Sequence, residues 1–206
     1  MHLIARDLVV ELGSTRILDK LSFILEPGMI TAVRGRSGSG KTTLLGAIAG
    51  SVPLESGTIE WRDGDQVAPV PSDAVAWVPQ GGNALGARTA LDNVFIAALT
   101  TGISDTAALR RAIHWLHRVD LTPRMRNDAD TLSGGEQQRL SFARALALDR
   151  PVVLADEPTA GLDLANAENV VALLRSLRSR SAIVVATHDQ HLIAACDTVV
   201  DLARGA

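Results

Sequence analysis

Aromatic side chains are scarce in this chain of 206 residues, which has three Trp, three Phe and no Tyr, 3% in all. Cysteine is scarcer still, with Cys196 alone. Neither sign of charge dominates, since 20 Lys and Arg stand against 23 Asp and Glu for a formal charge of −3. Each shortage excludes something. A lone cysteine forms no internal disulfide, so a reducing compartment fits better than secretion. Without a basic surplus or aromatics for base stacking, no nucleic-acid partner is expected. The apolar runs Val152–Ala155 and Ala182–Ala186 fall far short of the ~20 residues that cross hydrocarbon. The opening Met1-His2-Leu3-Ile4-Ala5-Arg6-Asp7 meets charge too early for a secretory leader. A cytoplasmic chain without a membrane span is therefore expected. Its 47% hydrophobic content is enough, at this length, for a core without metal or disulfide staples.

What is present is an alternation of short β-branched runs with longer helical patterns. Ile30–Val33, Val75–Val78, Pro151–Ala155 and Ala182–Thr187 read as strands covered on both faces, the mark of a parallel α/β sheet. The N-terminal third reads differently, with short turn-bounded strands at Leu3–Val10, Leu21–Leu25 and Gly57–Trp61 that suit antiparallel pairing. Between Thr89 and Leu148 the pattern is helical, including Asp105–Val119 and Gly134–Leu148. An α/β core with a helical insertion is expected.

Gly35-Arg36-Ser37-Gly38-Ser39-Gly40-Lys41-Thr42 fits G-x-x-x-x-G-K-[ST], with Thr43 next in line. Glycines let the backbone curl so that successive N–H groups face a polyphosphate. Lys41 adds a point charge, the Thr42 hydroxyl is a ligand for Mg²⁺, and the following helix adds its N-terminal dipole. A nucleoside triphosphate is the ligand this loop implies. The strand at Val152 ends in Asp156-Glu157, and ligands of open α/β sheets sit beyond the carboxyl ends of strands. Asp156 is then placed to hold Mg²⁺ and Glu157 to polarise an attacking water.

Ser133-Gly134-Gly135-Glu136 is a capping box that opens a helix. Its two glycines cost stability at an ordinary helix start, but they leave the N–H groups open to an anion. The chain thus carries two phosphate-seeking helix ends but one phosphate loop and one acidic pair. A head-to-tail dimer, in which each second site closes on the partner's nucleotide, is one solution. His114 and His117 lie three apart without further ligands nearby, so packing rather than metal is expected of them, as of His191.

Leu132-Ser133-Gly134-Gly135-Glu136-Gln137, set between the phosphate loop and the acidic strand, resembles the signature of the ATP-binding cassette (ABC) ATPases. The resemblance extends over the whole chain. Gln80 matches the family's glutamine loop, Gly161-Leu162-Asp163 the loop that crosses the dimer interface, and His188 the switch histidine. It implies a P-loop NTPase (RecA-like) core with an N-terminal antiparallel β subdomain and an inserted helical subdomain. As one domain over 1–206, the core would take 1–87 and 141–206 and the insertion 88–140. It implies catalytic roles for Glu157, His188 and Gln80. ATP would be bound by Gly35–Thr43, by Leu12, and by Ser133, Gly134, Gly135 and Asp163 across a dimer of two copies. Mg²⁺ would be held by Thr42, Gln80 and Asp156. Leu12 stands where the family usually puts an adenine-stacking aromatic, so an apolar contact replaces it.

The resemblance further implies a cytoplasmic ATPase subunit held at the inner face of the plasma membrane by separate permease subunits that dock near Gln80–Leu99. Thr89-Ala90-Leu91-Asp92-Asn93-Val94 is similar to compact cassettes of macrolide, lipoprotein and haem export and of cell division, which points to export of a small hydrophobic substrate such as a drug or haem. An importer subunit is the alternative. A soluble repair or ribosome ATPase fits less well, without coiled-coil insertions or a second cassette, and a small-molecule kinase would have no use for Leu132–Gln137.

Overall fold

The β-branched runs pair in parallel through the centre of the molecule. The computed structural model describes residues 2–64, 66–71, 73–178 and 181–202. Strands β1 (His2–Leu12), β2 (Thr15–Leu25) and β3 (Ile30–Arg34) lead into helix α1 (Lys41–Ile48). Strands β4 (Ser56–Asp63), β5 (Gln66–Pro69) and β6 (Val75–Val78) precede helices α2 (Ala90–Leu99), α3 (Asp105–Arg118) and α4 (Gly134–Ala147). Strand β7 (Val152–Asp156), helix α5 (Leu164–Leu177), strand β8 (Ala182–Thr187), the short helix α6 (Gln190–Ala194) and strand β9 (Thr198–Asp201) complete the described chain.

One sheet has the order β6-β7-β8-β3-β9, every pair parallel. Period-2 alternation sorts its side chains. Val153, Ala155, Ile183 and Val185 face a core shared with α2–α5, while Val152, Leu154, Val184 and Ala186 face a second core shared with α1 and the other sheet. Both faces are covered, which is why these strands read as continuous apolar runs. Burying each Val, Leu or Ile contributes roughly 1.5–3 kcal/mol.

The second sheet is antiparallel, in the order β2-β1-β4-β5. Its strands run longer than their sequence expectation because pairing carries polar residues such as Arg16 and Asp19 along an exposed side. A two-residue turn at Gly13-Ser14, with Gly13 at φ 63°, closes the first hairpin, a backbone state suited to glycine. β5 and β9 have no sequence expectation: β5 is exposed throughout, and β9 is an edge strand beside β3.

The helical part is Ala-rich where helices meet. Ala90, Ala98, Ala108, Ala112, Ala143 and Ala147 are all buried in one cluster with Leu116, Leu140 and Phe142. Thr89, Ser104 and Ser133 cap α2, α3 and α4 with their side-chain oxygens. Asn93 is fully buried and closes the preceding loop: its Oδ1 accepts from Leu85 N–H at 2.7 Å and its amide donates to the carbonyls of Leu85, Arg88 and Thr89. α4 runs unbroken through residues 140 and 141, so helical part and core share a helix at that expected boundary. Cys196 packs half-buried against the helical core, its thiol donating to the Leu192 carbonyl, and burial pushes its pKa up to about 11. Among the described residues no helix is long and apolar enough to cross a membrane.

Candidate functional site

Strand order decides the site. Four neighbouring strands, β6, β7, β8 and β3, end side by side and in the same direction. Beyond those ends lie Gln80, the pair Asp156-Glu157, His188 and the loop Gly35–Gly40. A pocket of about 380 Å³ there is lined by Leu12, Ser37, Gly38, Gly40, Lys41, Thr42, Thr43, Gln80, Asp156, Glu157 and His188, together with Ile17. Eleven of those residues were expected from sequence. Ile17 was not, because an isoleucine in an edge strand carries no signal of chemistry. A Cβ on Gly40 would stand 2.6 Å from Ile17 Cγ2, and Gly40 itself has φ 93°. Glycine is therefore required there on two counts.

The loop holds itself in shape through Lys41, 7% exposed, whose ammonium donates to the carbonyls of Gly35 at 3.0 Å and Arg36 at 3.2 Å. Gly35 and Ser39 pack against each other beneath the loop, since a Cβ at Gly35 would collide with the Ser39 side chain. The Arg36 side chain is exposed and away from the pocket lining. Gly40 gives α1 no side-chain cap, and a Cβ at Gly38 would meet nothing within 4 Å. The helix start is thus left to whatever occupies the pocket.

The two carboxylates behave oppositely. Burial raises the pKa of Asp156; the Thr42 hydrogen bond at 2.7 Å opposes this, and the nearby Glu157 charge reinforces it. Its Oδ1 is buried and has no partner among the described residues. Burial also pushes Glu157 up, but hydrogen bonds from His188 and Lys41 outweigh it and hold Glu157 below its ordinary value. Lys41 Nζ lies 3.2 Å from Glu157 Oε1, His188 Nδ1 lies 2.9 and 3.0 Å from the two oxygens, and the buried Thr187 hydroxyl donates to Oε2. Glu157 has φ 45°, a left-handed backbone that costs a non-glycine residue about 1–2 kcal/mol. Surrounding bonds hold this strained residue at a strand end.

Ser133, Gly134, Gly135 and Asp163 do not line this pocket. Ser133 is exposed and completes the capping box: its Oγ accepts from Glu136 N–H, and its own N–H donates to Glu136 Oε2. Arg124 donates to the same carboxylate, and together these bonds hold the Glu136 pKa at about 2. Asp163 caps α5, accepting from the Asn166 N–H and side-chain amide. Sequence reading also missed the tie between the Gln80 segment and α4. Arg144 donates to both the main-chain and side-chain oxygens of Asn83, and Asn83 N–H donates to Ser141 Oγ.

A parallel α/β sheet with a phosphate loop, an antiparallel subdomain and a helical insertion defines a P-loop NTPase of the RecA-like kind. Residues 18–160 match the ABC transporter family. An uncharacterized ABC transporter ATP-binding protein of Mycobacterium tuberculosis is 41% identical over 208 residues, covering 95% of this chain and 63% of that protein. The macrolide export ATP-binding/permease protein of Mannheimia succiniciproducens is 34% identical over 201 residues, covering 94% of this chain and 31% of that one. Among solved structures, a dimeric ATP-binding cassette in a post-hydrolysis state, bound to ADP and phosphate, superposes with a TM-score of 0.85 at 25% identity over 97% of this chain and 93% of that chain. The chain belongs to the ABC transporter family, as one of its ATP-binding cassettes. It spans less than two thirds of the length of these curated relatives.

Proposed function

We propose that this cassette binds ATP with Mg²⁺, hydrolyses it between two head-to-tail copies, and drives a membrane-spanning permease. The observation that carries the reading is the convergence of the phosphate loop, Asp156, Glu157, His188 and Gln80 at four adjacent strand ends. Phosphates would sit on the N–H groups of Gly38–Thr43, with the Lys41 ammonium turned from Glu157 toward them. The Mg²⁺ site fits the residues present. Asp156 offers an Oδ1 that is buried and, among the described residues, without a partner, while its Oδ2 accepts from the Thr42 hydroxyl, a hard-oxygen set suited to that cation, and Gln80 lines the same pocket. When bound, the ion neutralises phosphate charge. Glu157, freed from Lys41, then accepts a hydrogen bond from the attacking water, and His188 holds the carboxylate in place and faces the terminal phosphate.

The signature residues support a dimer because, within one chain, Ser133, Gly134, Gly135 and Asp163 lie outside the pocket they are expected to serve. Presented to a second copy, they would complete its site. Leu12, 52% exposed at the pocket edge, is left as an apolar platform for adenine. Export of a small hydrophobic substrate is supported by the 34% identity to a macrolide exporter, and docking of the permease on Gln80–Leu99 by the Asn83–Arg144 tie that joins this segment to α4.

The test is the oligomeric state of Glu157→Gln with ATP and Mg²⁺, measured by light scattering. A stable ATP-bound dimer is expected. A monomer that holds no nucleotide would overturn the reading. The membrane protein that co-purifies with the intact complex, and the direction in which it moves a labelled macrolide in vesicles, tests export.

A further inference from the structure

Outside the nucleotide pocket, a cavity of about 410 Å³ lies between the end of α3, the first three turns of α4 and the middle of α5. Its size falls within the roughly 300–1,000 Å³ of small-molecule sites. Its floor is apolar, with Phe142 fully buried and Val170 and Leu173 nearly so. Into this apolar wall is set Arg139, whose buried Nε has no partner among the described residues and whose guanidinium donates, among them, once, to Asn166 Oδ1 at 3.2 Å. Gly135 leaves room beside it, since a Cβ there would stand 4.0 Å from Arg139 Nη1.

Among the described residues neither Arg139 nor Arg118 at the rim takes part in an ion pair. Arg118 donates to the Ser176 hydroxyl. Asp120, exposed at the same rim, is the acidic residue lining the cavity. The lining therefore carries a surplus of one positive charge in a molecule whose net charge is negative. A half-buried guanidinium with a free donor and, among the described residues, no carboxylate paired to it is a costly arrangement alone, and a planar carboxylate satisfies it in a fork.

We infer that this cavity binds a small organic carboxylate with an apolar body, its head on Arg139 and its tail against Phe142 and Leu173. Apart from Gly135, which is proposed to serve a second copy's nucleotide, the cavity lining takes no part in the steps of ATP hydrolysis proposed above. Its walls carry Gly135 and Leu162, neighbours of Ser133 and Asp163, and Asn166 bonds Arg139 on one side and Asp163 on the other. Occupancy therefore acts on the two segments proposed to meet a second copy, and this consequence rests on the dimer reading.

Binding is tested without nucleotide, so its failure is separate from failure of the ATPase reading. The fluorescent anion 1-anilinonaphthalene-8-sulfonate is bound to the full chain and displaced with decanoate or, as the neutral control, decanol. Saturable displacement by decanoate is expected, with decanol at least tenfold weaker. Arg139→Ala should weaken decanoate at least tenfold. Ala172→Trp, at an exposed rim position, should block the cavity without removing the charge, and it keeps the test decisive if Arg139→Ala fails to fold. Equal competition by decanol, or wild-type affinity in Ala172→Trp, would overturn the site. With Glu157→Gln and ATP present, decanoate should change the dimer fraction at least twofold. An unchanged fraction in a protein that still dimerises overturns the link to the interface.

Discussion

Lys41 and Glu157 face each other at 3.2 Å, and the chemistry proposed for them requires that they part. Lys41 meets charge already present on ground-state phosphates, whereas Glu157 acts on the water as it attacks. Lys41→Ala is therefore expected to abolish tight nucleotide binding. Glu157→Gln should keep binding and lower turnover by about 10²-fold or more. Equilibrium binding of a fluorescent ATP analogue, beside phosphate release, separates the two. At the pocket edge, Leu12 supplies contact but no flat ring face. Leu12→Tyr should tighten ATP binding by about 1 kcal/mol, and the wild type should discriminate weakly against GTP. Titration of both nucleotides checks this, and strong ATP preference with no gain in the variant would place the base elsewhere. The phosphate loop and acidic pair were legible in sequence because their chemistry needs fixed residue types at fixed spacing. Ile17 was not, because only the fold lays it against Gly40.

At the scale of elements, two polar devices hold the helical part. Asn93 satisfies four main-chain groups of the loop before α2. Asn93→Leu would leave the Leu85 N–H without its acceptor, while the carbonyls of Leu85, Arg88 and Thr89 keep the N–H groups of Arg88, Ala129 and residue 93. The cost is about 2 kcal/mol, read as a lowered urea midpoint with an unchanged slope. The capping box of α4 depends on pH. Glu136 is held at about 2 against a usual 4.5, a folded value below the unfolded one. Its stabilisation is therefore complete above about 4.5 and is lost as pH falls from there toward about 2. Glu136→Gln should flatten that part of the stability–pH curve, followed by thermal unfolding between pH 2 and 6. The capping box was legible as a four-residue pattern, whereas Asn93 gave no local sign, since its partners are set by how the loop folds back over the helix.

Across the whole molecule, Ser133→Arg tests whether the signature serves a second copy. Nucleotide binding to the monomer should survive, and ATP-dependent dimerisation and hydrolysis should be lost, as followed by gel filtration and phosphate release. Equal loss of monomer binding would assign Ser133 to its own chain's nucleotide. Residue order by itself determined the four buried strands, the phosphate loop between a strand and a helix, the acidic strand end and the capped signature helix. Each is set by local periodicity or by a short run of residues. Sequence also pointed to a helical insertion, because between Thr89 and Leu148 apolar residues recur at helical rather than strand spacing. It left the strand order, the weak edge strands β5 and β9, the path of α4 across the expected boundary and the Asn83–Arg144 tie undecided. Tertiary structure decided these because they arise from pairings between residues far apart in the chain. The order β6-β7-β8-β3 brings Gln80, Asp156, Glu157, His188 and Lys41 into one pocket, while the same packing leaves Ser133 and Asp163 outside it.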